Sequence, residues 1–122
     1  MSRYSPSGLH NIIADQGATF SYTVTWKDSK RTPINVTGYT ARMHVRSSKT
    51  ASTTILVLTT ENGRISVSSP TNGEFTLTVS ATDMAAILED RYVYDLEIIA
   101  PTTGIVTRLI YGNFVVRAEI TR

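Results

Sequence analysis

Apolar and polar residues alternate along most of this chain. At positions 19–26, Phe20, Tyr22, Val24 and Trp26 share one parity, and Thr19, Ser21, Thr23 and Thr25 the other. A period of two predicts a strand with one buried and one wet face, as in an antiparallel sheet. Residues 39–46 repeat the pattern, with Tyr39, Ala41, Met43 and Val45 inward and Thr40, Arg42, His44 and Arg46 outward. Residues 74–80 set Phe75, Leu77 and Val79 against Thr76 and Thr78, and residues 91–99 set Tyr92, Tyr94, Leu96 and Ile98 against Asp95 and Glu97.

Shorter signals fill the gaps. Residues 9–13 read as a first edge strand. Residues 54–60 and 64–68 read as two strands of a hairpin, because Asn62-Gly63 between them is the strongest short hairpin signal. Ser69-Pro-Thr-Asn-Gly73 and Ala100-Pro-Thr-Thr-Gly104 are turns. In the last strand Ile105, Leu109 and Tyr111 lie on odd positions, whereas Phe114, Val116, Ala118 and Ile120 lie on even ones. A parity change of this kind at Gly112 predicts a β-bulge there or a crossing between sheets. One short helix is expected at residues 82–89, with Thr82 as N-cap, Asp83 in the first turn and Met84, Ile87 and Leu88 on one face.

Seven to eight short strands, frequent turns and one small helix predict an all-β, immunoglobulin-like antiparallel β-sandwich. Antibody-type Cys…Trp…Cys spacing is absent, with Trp26 the candidate central aromatic. Residues 1–8, rich in Ser, Pro and Gly, read as a flexible N-terminal arm, and residues 9–122 as a single domain.

Composition narrows the chemistry. The 122 residues are 41% hydrophobic and 18% charged, with a Thr and Ser surplus that suits half-exposed strands. No cysteine is present, which excludes disulfides and thiolate metal sites. A formal net charge of +2 without a basic stripe argues against nucleic acid, and no apolar run is long enough for a membrane-spanning helix. The opening Met1-Ser-Arg-Tyr-Ser-Pro-Ser-Gly8 lacks the apolar stretch of a signal peptide, so synthesis in the cytoplasm is expected.

Catalytic patterns are missing. His10 and His44 are far apart, Gly-x-Ser-x-Gly is absent, and both glycine-rich phosphate motifs are absent. Asp95 and Glu97 share a strand face, which fits a solvated face paired with Arg108 better than an acid–base pair or a Ca²⁺ site. No cofactor or metal is expected. Asn35-Val36-Thr37 matches a sugar acceptor, but without a signal peptide it reads as a turn launching the next strand, with Gly38 free to take positive φ.

Three segments carry a family resemblance: Pro33-Ile-Asn-Val-Thr-Gly-Tyr-Thr-Ala-Arg-Met-His-Val-Arg46, Gly73-Glu-Phe-Thr-Leu-Thr-Val-Ser-Ala-Thr-Asp83 and Arg91-Tyr-Val-Tyr-Asp-Leu-Glu-Ile98. They resemble the immunoglobulin-like N-terminal domain of tailed-bacteriophage upper-baseplate proteins and related tail-fibre or tailspike adaptors. The resemblance runs from about Thr19 to Val116. Glu89-Asp-Arg91 departs from it, standing where a Gly-containing turn is usual. The chain also stops at Arg122, without the coiled coil or receptor-binding region of longer relatives, which favours a stand-alone adaptor or decoration role as the expectation.

The resemblance implies a non-catalytic virion protein. It would act as a tail, neck or baseplate adaptor, present in many copies, holding fibres or spikes against tail or portal subunits. A capsid decoration protein is the alternative, and a carbohydrate- or cell-surface-binding module a third reading. Interface candidates are the outward strip Arg42, His44 and Arg46, together with Tyr4, Tyr111 and Asn113 near the arm and the expected bulge.

Overall fold

The computed structural model describes residues 8–121. Among these residues nine strands form two sheets: β1 Gly8–Leu9, β2 Ile12–Asp15, β3 Phe20–Thr25, β4 Thr40–Arg46, β5 Leu56–Thr59, β6 Ile65–Ser69, β7 Glu74–Val79, β8 Asp90–Ile99 and β9 Val106–Arg117. The larger sheet runs β1-β9-β8-β4-β5, with β2 also on β9, and the smaller runs β3-β7-β6. All strand pairings are antiparallel except those of β1 and β2, which lie parallel to β9.

This order is the immunoglobulin-like one. The smaller sheet matches strands B, E and D, and β9-β8-β4-β5 matches G, F, C and C′. A single core lies between the sheets, built from the inward ridges read in the sequence. Phe75, Leu77, Met43, Leu96, Ile98 and Phe114 are all fully buried. Phe20 meets Phe114 edge-on at 5.5 Å between ring centroids, joining the two sheets. Trp26 is buried and packs edge-on against Tyr39 at 6.1 Å.

The Asn35 triplet forms a local turn. The Asn35 side-chain oxygen accepts from the Thr37 backbone N–H at 2.9 Å and from its hydroxyl at 2.6 Å. Val36 is fully buried and Gly38 takes φ 82°, so the turn anchors the start of β4.

Five expectations need correction. The first edge strand is broken at His10-Asn11 into β1 and β2, which raises the strand count to nine. Gly8, placed in the arm, pairs with Ile110; residues 1–7, including Tyr4, lie outside the described residues.

Asn62-Gly63 does not close a hairpin. β5 pairs with β4 in the larger sheet and β6 with β7 in the smaller, so the turn carries the chain from one sheet to the other. Hydrophobic alternation cannot reveal which sheet a strand joins.

The helix α1 spans Ala81–Ala85, and its N-cap is Ser80, whose hydroxyl accepts from the Asp83 N–H at 3.2 Å. Met84 and Ile87 are buried, but Leu88 is 74% exposed because the helix ends before it.

The bulge in β9 falls at Leu109, not Gly112. Leu96 faces Ile110 while Glu97 faces Arg108, which leaves Leu109 as the extra residue. Leu109 and Ile110 are both fully buried, and Tyr111 consequently turns outward. Gly112 serves a different purpose: with φ 151° it lies so close to the β1–β2 break that a Cβ would sit 2.6 Å from the His10 carbonyl oxygen.

Candidate docking face

Strand register builds a polar face on the outside of the larger sheet. On β4, Arg42 stands opposite Glu97 of β8 and His44 opposite Asp95. On β9, Tyr111 stands opposite Asp95, Asn113 opposite Val93 and Arg108 opposite Glu97. Leu9 of β1 flanks Tyr111 on the far side and is 65% exposed. These outward side chains surround an open trough of ≈ 790 Å³, to which Lys49 also contributes.

All five described interface candidates, Arg42, His44, Arg46, Tyr111 and Asn113, line this trough. Three strands far apart in sequence meet there because β8 pairs with both β4 and β9.

Charge is unevenly used across the face. Arg42 donates to Glu97 at 2.8 Å in a solvent-accessible ion pair. Arg108 faces Glu97 across the β8–β9 ladder, as the alternation of charges suggests, and its guanidinium also lies 4.2 Å above the Tyr111 ring centroid. Arg46 donates to the Ala51 carbonyl at 3.1 Å and lies 3.2 Å from His44 Nδ1. Half-buried Asp95 has its pKa raised by burial and then by the neighbouring Glu97, against the opposing pull of Arg108, His44 and Arg42. Four cationic side chains, Arg42, Arg46, Lys49 and Arg108, thus surround two carboxylates, leaving the face net positive.

The floor beneath Tyr111 and Asn113 is fixed by the β1–β2 break. His10 donates its backbone N–H to the Tyr111 carbonyl at 2.8 Å, and Asn113 donates its own to the Asn11 side chain at 3.1 Å. From the core side, the Tyr94 hydroxyl donates to the His10 carbonyl at 2.6 Å. Burial holds the Tyr94 phenol far above the usual tyrosine range, so it remains a donor throughout ordinary pH.

Leu9 and Lys49 are members of this face that the sequence pattern does not indicate. The adjacent apolar pair Leu109-Ile110 was the available signal. Two consecutive inward residues interrupt the alternation three positions before the glycine, and placing the bulge there aligns Tyr111 and Asn113 with Asp95 and Val93.

Among the described residues, no group of three or more His, Asp and Glu side chains converges to hold a metal ion. No helix among the described residues is long and apolar enough to cross a membrane. No protein-family model matches the sequence, and a search of curated proteins finds no match.

Proposed function

We propose that this chain is a non-catalytic structural protein of a tailed-bacteriophage virion, an adaptor that holds fibre or spike subunits at the tail, neck or baseplate. The family assignment rests on the resemblance of residues 33–46, 73–83 and 91–98. The observation that carries the docking role is the outer face of β9-β8-β4. It gathers Arg42, His44, Arg46, Tyr111 and Asn113 around one trough on a rigid sheet.

The physical chemistry suits a partner with an acidic segment. Surplus positive charge steers such a segment in, while Tyr111 and exposed Leu9 supply apolar area once water is displaced. Arginine and tyrosine are the residue types that most often anchor protein interfaces. Nothing in this role requires bond making, because the chain needs only to present a fixed, complementary surface.

The test is incorporation into particles. A double Arg42→Glu, Arg46→Glu chain, with folding verified by circular dichroism, should be depleted from purified particles when the wild-type chain competes. Equal incorporation of both chains, measured by mass spectrometry, refutes docking through this face.

A further inference from the structure

We infer that the open edge of β3 is a self-association edge, on which a second copy of this chain adds its own β3 antiparallel across a two-fold axis. This reading does not depend on the virion assignment. It follows from how the free sheet edges are treated.

A sheet edge exposes unpaired backbone N–H and C=O groups, and proteins normally blunt it with charge, proline, bulges or a covering segment. β5 is covered by its own following turn. Asn62 and Arg64 donate to the Val57 carbonyl at 3.0 and 2.8 Å, and the Thr59 N–H donates to Asn62 at 3.0 Å. β6 is irregular between Ser66 and Ser69. On the β1–β2 side, the strand is broken at His10-Asn11 and ends in Asp15, which pairs with Arg117 at 2.7 Å.

Among the described residues, β3 has none of these protections. Its six residues pair with β7 in unbroken register, and Phe-Ser-Tyr-Thr-Val-Thr contains no charge and no proline. The bond from the Trp26 N–H to the Gly73 carbonyl sets the alternation: Phe20, Tyr22 and Val24 bond towards β7, so Ser21, Thr23 and Thr25 present their backbone groups to the open edge.

The same strand is its own best complement. With Thr23 opposite its symmetry mate, Ser21 falls opposite Thr25, hydroxyl against hydroxyl, and Tyr22 falls opposite Val24 on the apolar side. The strand meets its copy without any like-charge pair. The outward pairs would extend a hydroxyl ladder already present, in which Thr23 lies 3.4 Å from Thr76 and Thr76 donates to Ser68 at 2.8 Å. Half-exposed Tyr22, stacked on Phe20 at 6.3 Å, would gain a cover. The contact is isologous and closes at two copies, joining two three-stranded sheets into one of six.

Sedimentation equilibrium of the full chain across the micromolar range tests this. The wild-type chain should show a reversible monomer–dimer equilibrium. Thr23→Pro removes an N–H that no partner among the described residues uses, and should raise the dimer Kd at least about tenfold by eliminating both central backbone bonds. Thr23→Lys, at an exposed position that leaves folding intact, should also weaken the dimer, and mixing it with Thr23→Glu should restore association as a heterodimer. A wild-type chain that stays monomeric throughout overturns the inference, as does a dimer indifferent to Thr23→Lys. So does a dimer that survives Thr23→Lys but disappears when residues 1–7 are removed, since that pattern belongs to arm exchange.

Discussion

Replacing Gly112 by alanine isolates the contact that seats the β1–β2 break beneath the docking face. The added methyl carbon would lie 2.6 Å from the His10 carbonyl oxygen and 2.9 Å from Asn11 Oδ1, while the backbone sits at φ 151°. Holding an alanine in such a conformation costs about 1–3 kcal/mol. Relief requires residues 10–11 to move away, which endangers the His10–Tyr111, Asn113–Asn11 and Tyr94–His10 hydrogen bonds. Each contributes about 0.5–1.5 kcal/mol net. Strain and bond loss are alternatives in part, so the expected destabilisation is about 2–4 kcal/mol, or roughly 4 °C in Tm per kcal/mol for a chain of this length. Urea unfolding followed by Trp26 fluorescence measures the total, and hydrogen exchange locates it, with protection lost first in β1 and β2. Gly63→Ala is the control, because φ is 81° there but nothing lies within 4 Å, leaving only about 1 kcal/mol of backbone strain. If Gly112→Ala costs no more than Gly63→Ala and β1–β2 protection is unchanged, the close-approach argument is wrong.

Two further substitutions probe the surroundings of the face. Asp95 has a raised pKa, so its folded form binds a proton more readily than its unfolded form. Ionisation therefore costs stability as pH rises from the ordinary value of 3.8 through the raised one. Asp95→Asn should remove this dependence and be the more stable protein at neutral pH, as read from unfolding midpoints across a pH series. Asn62→Ala should cost about 1–3 kcal/mol by taking the acceptor from the Thr59 N–H and leaving Arg64 as the remaining side-chain donor to the Val57 carbonyl, and aggregation through the exposed β5 edge, followed by light scattering, should accompany it.

The sequence and the structure agree where one strand decides its own fate. Inward ridges such as Phe75-Leu77-Val79 are visible because a period of two separates a buried face from a wet one, whatever the strand pairs with. The outward strip Arg42, His44 and Arg46 was legible for the same reason. Pairing is a property of two segments, and there the reading failed. Asn62-Gly63 has hairpin composition, yet its side chain caps the edge of β5 while the backbone crosses to the other sheet. Gly112 drew the bulge to itself, although its missing side chain answers a contact with His10, about a hundred positions away in sequence. The trough joins these two cases: its residues could be assigned outward parity one strand at a time, but only the β4-β8-β9 register brings them together.

The central claim is that the outer face of β9-β8-β4 docks a virion partner, and cryo-electron microscopy of the parent particle tests it most directly. The account predicts density for this chain at the tail, neck or baseplate, with a partner segment lying in the trough against Arg42, Arg46 and Tyr111. A chain found with that face open to solvent, seated on the head lattice, or missing from the particle would contradict it.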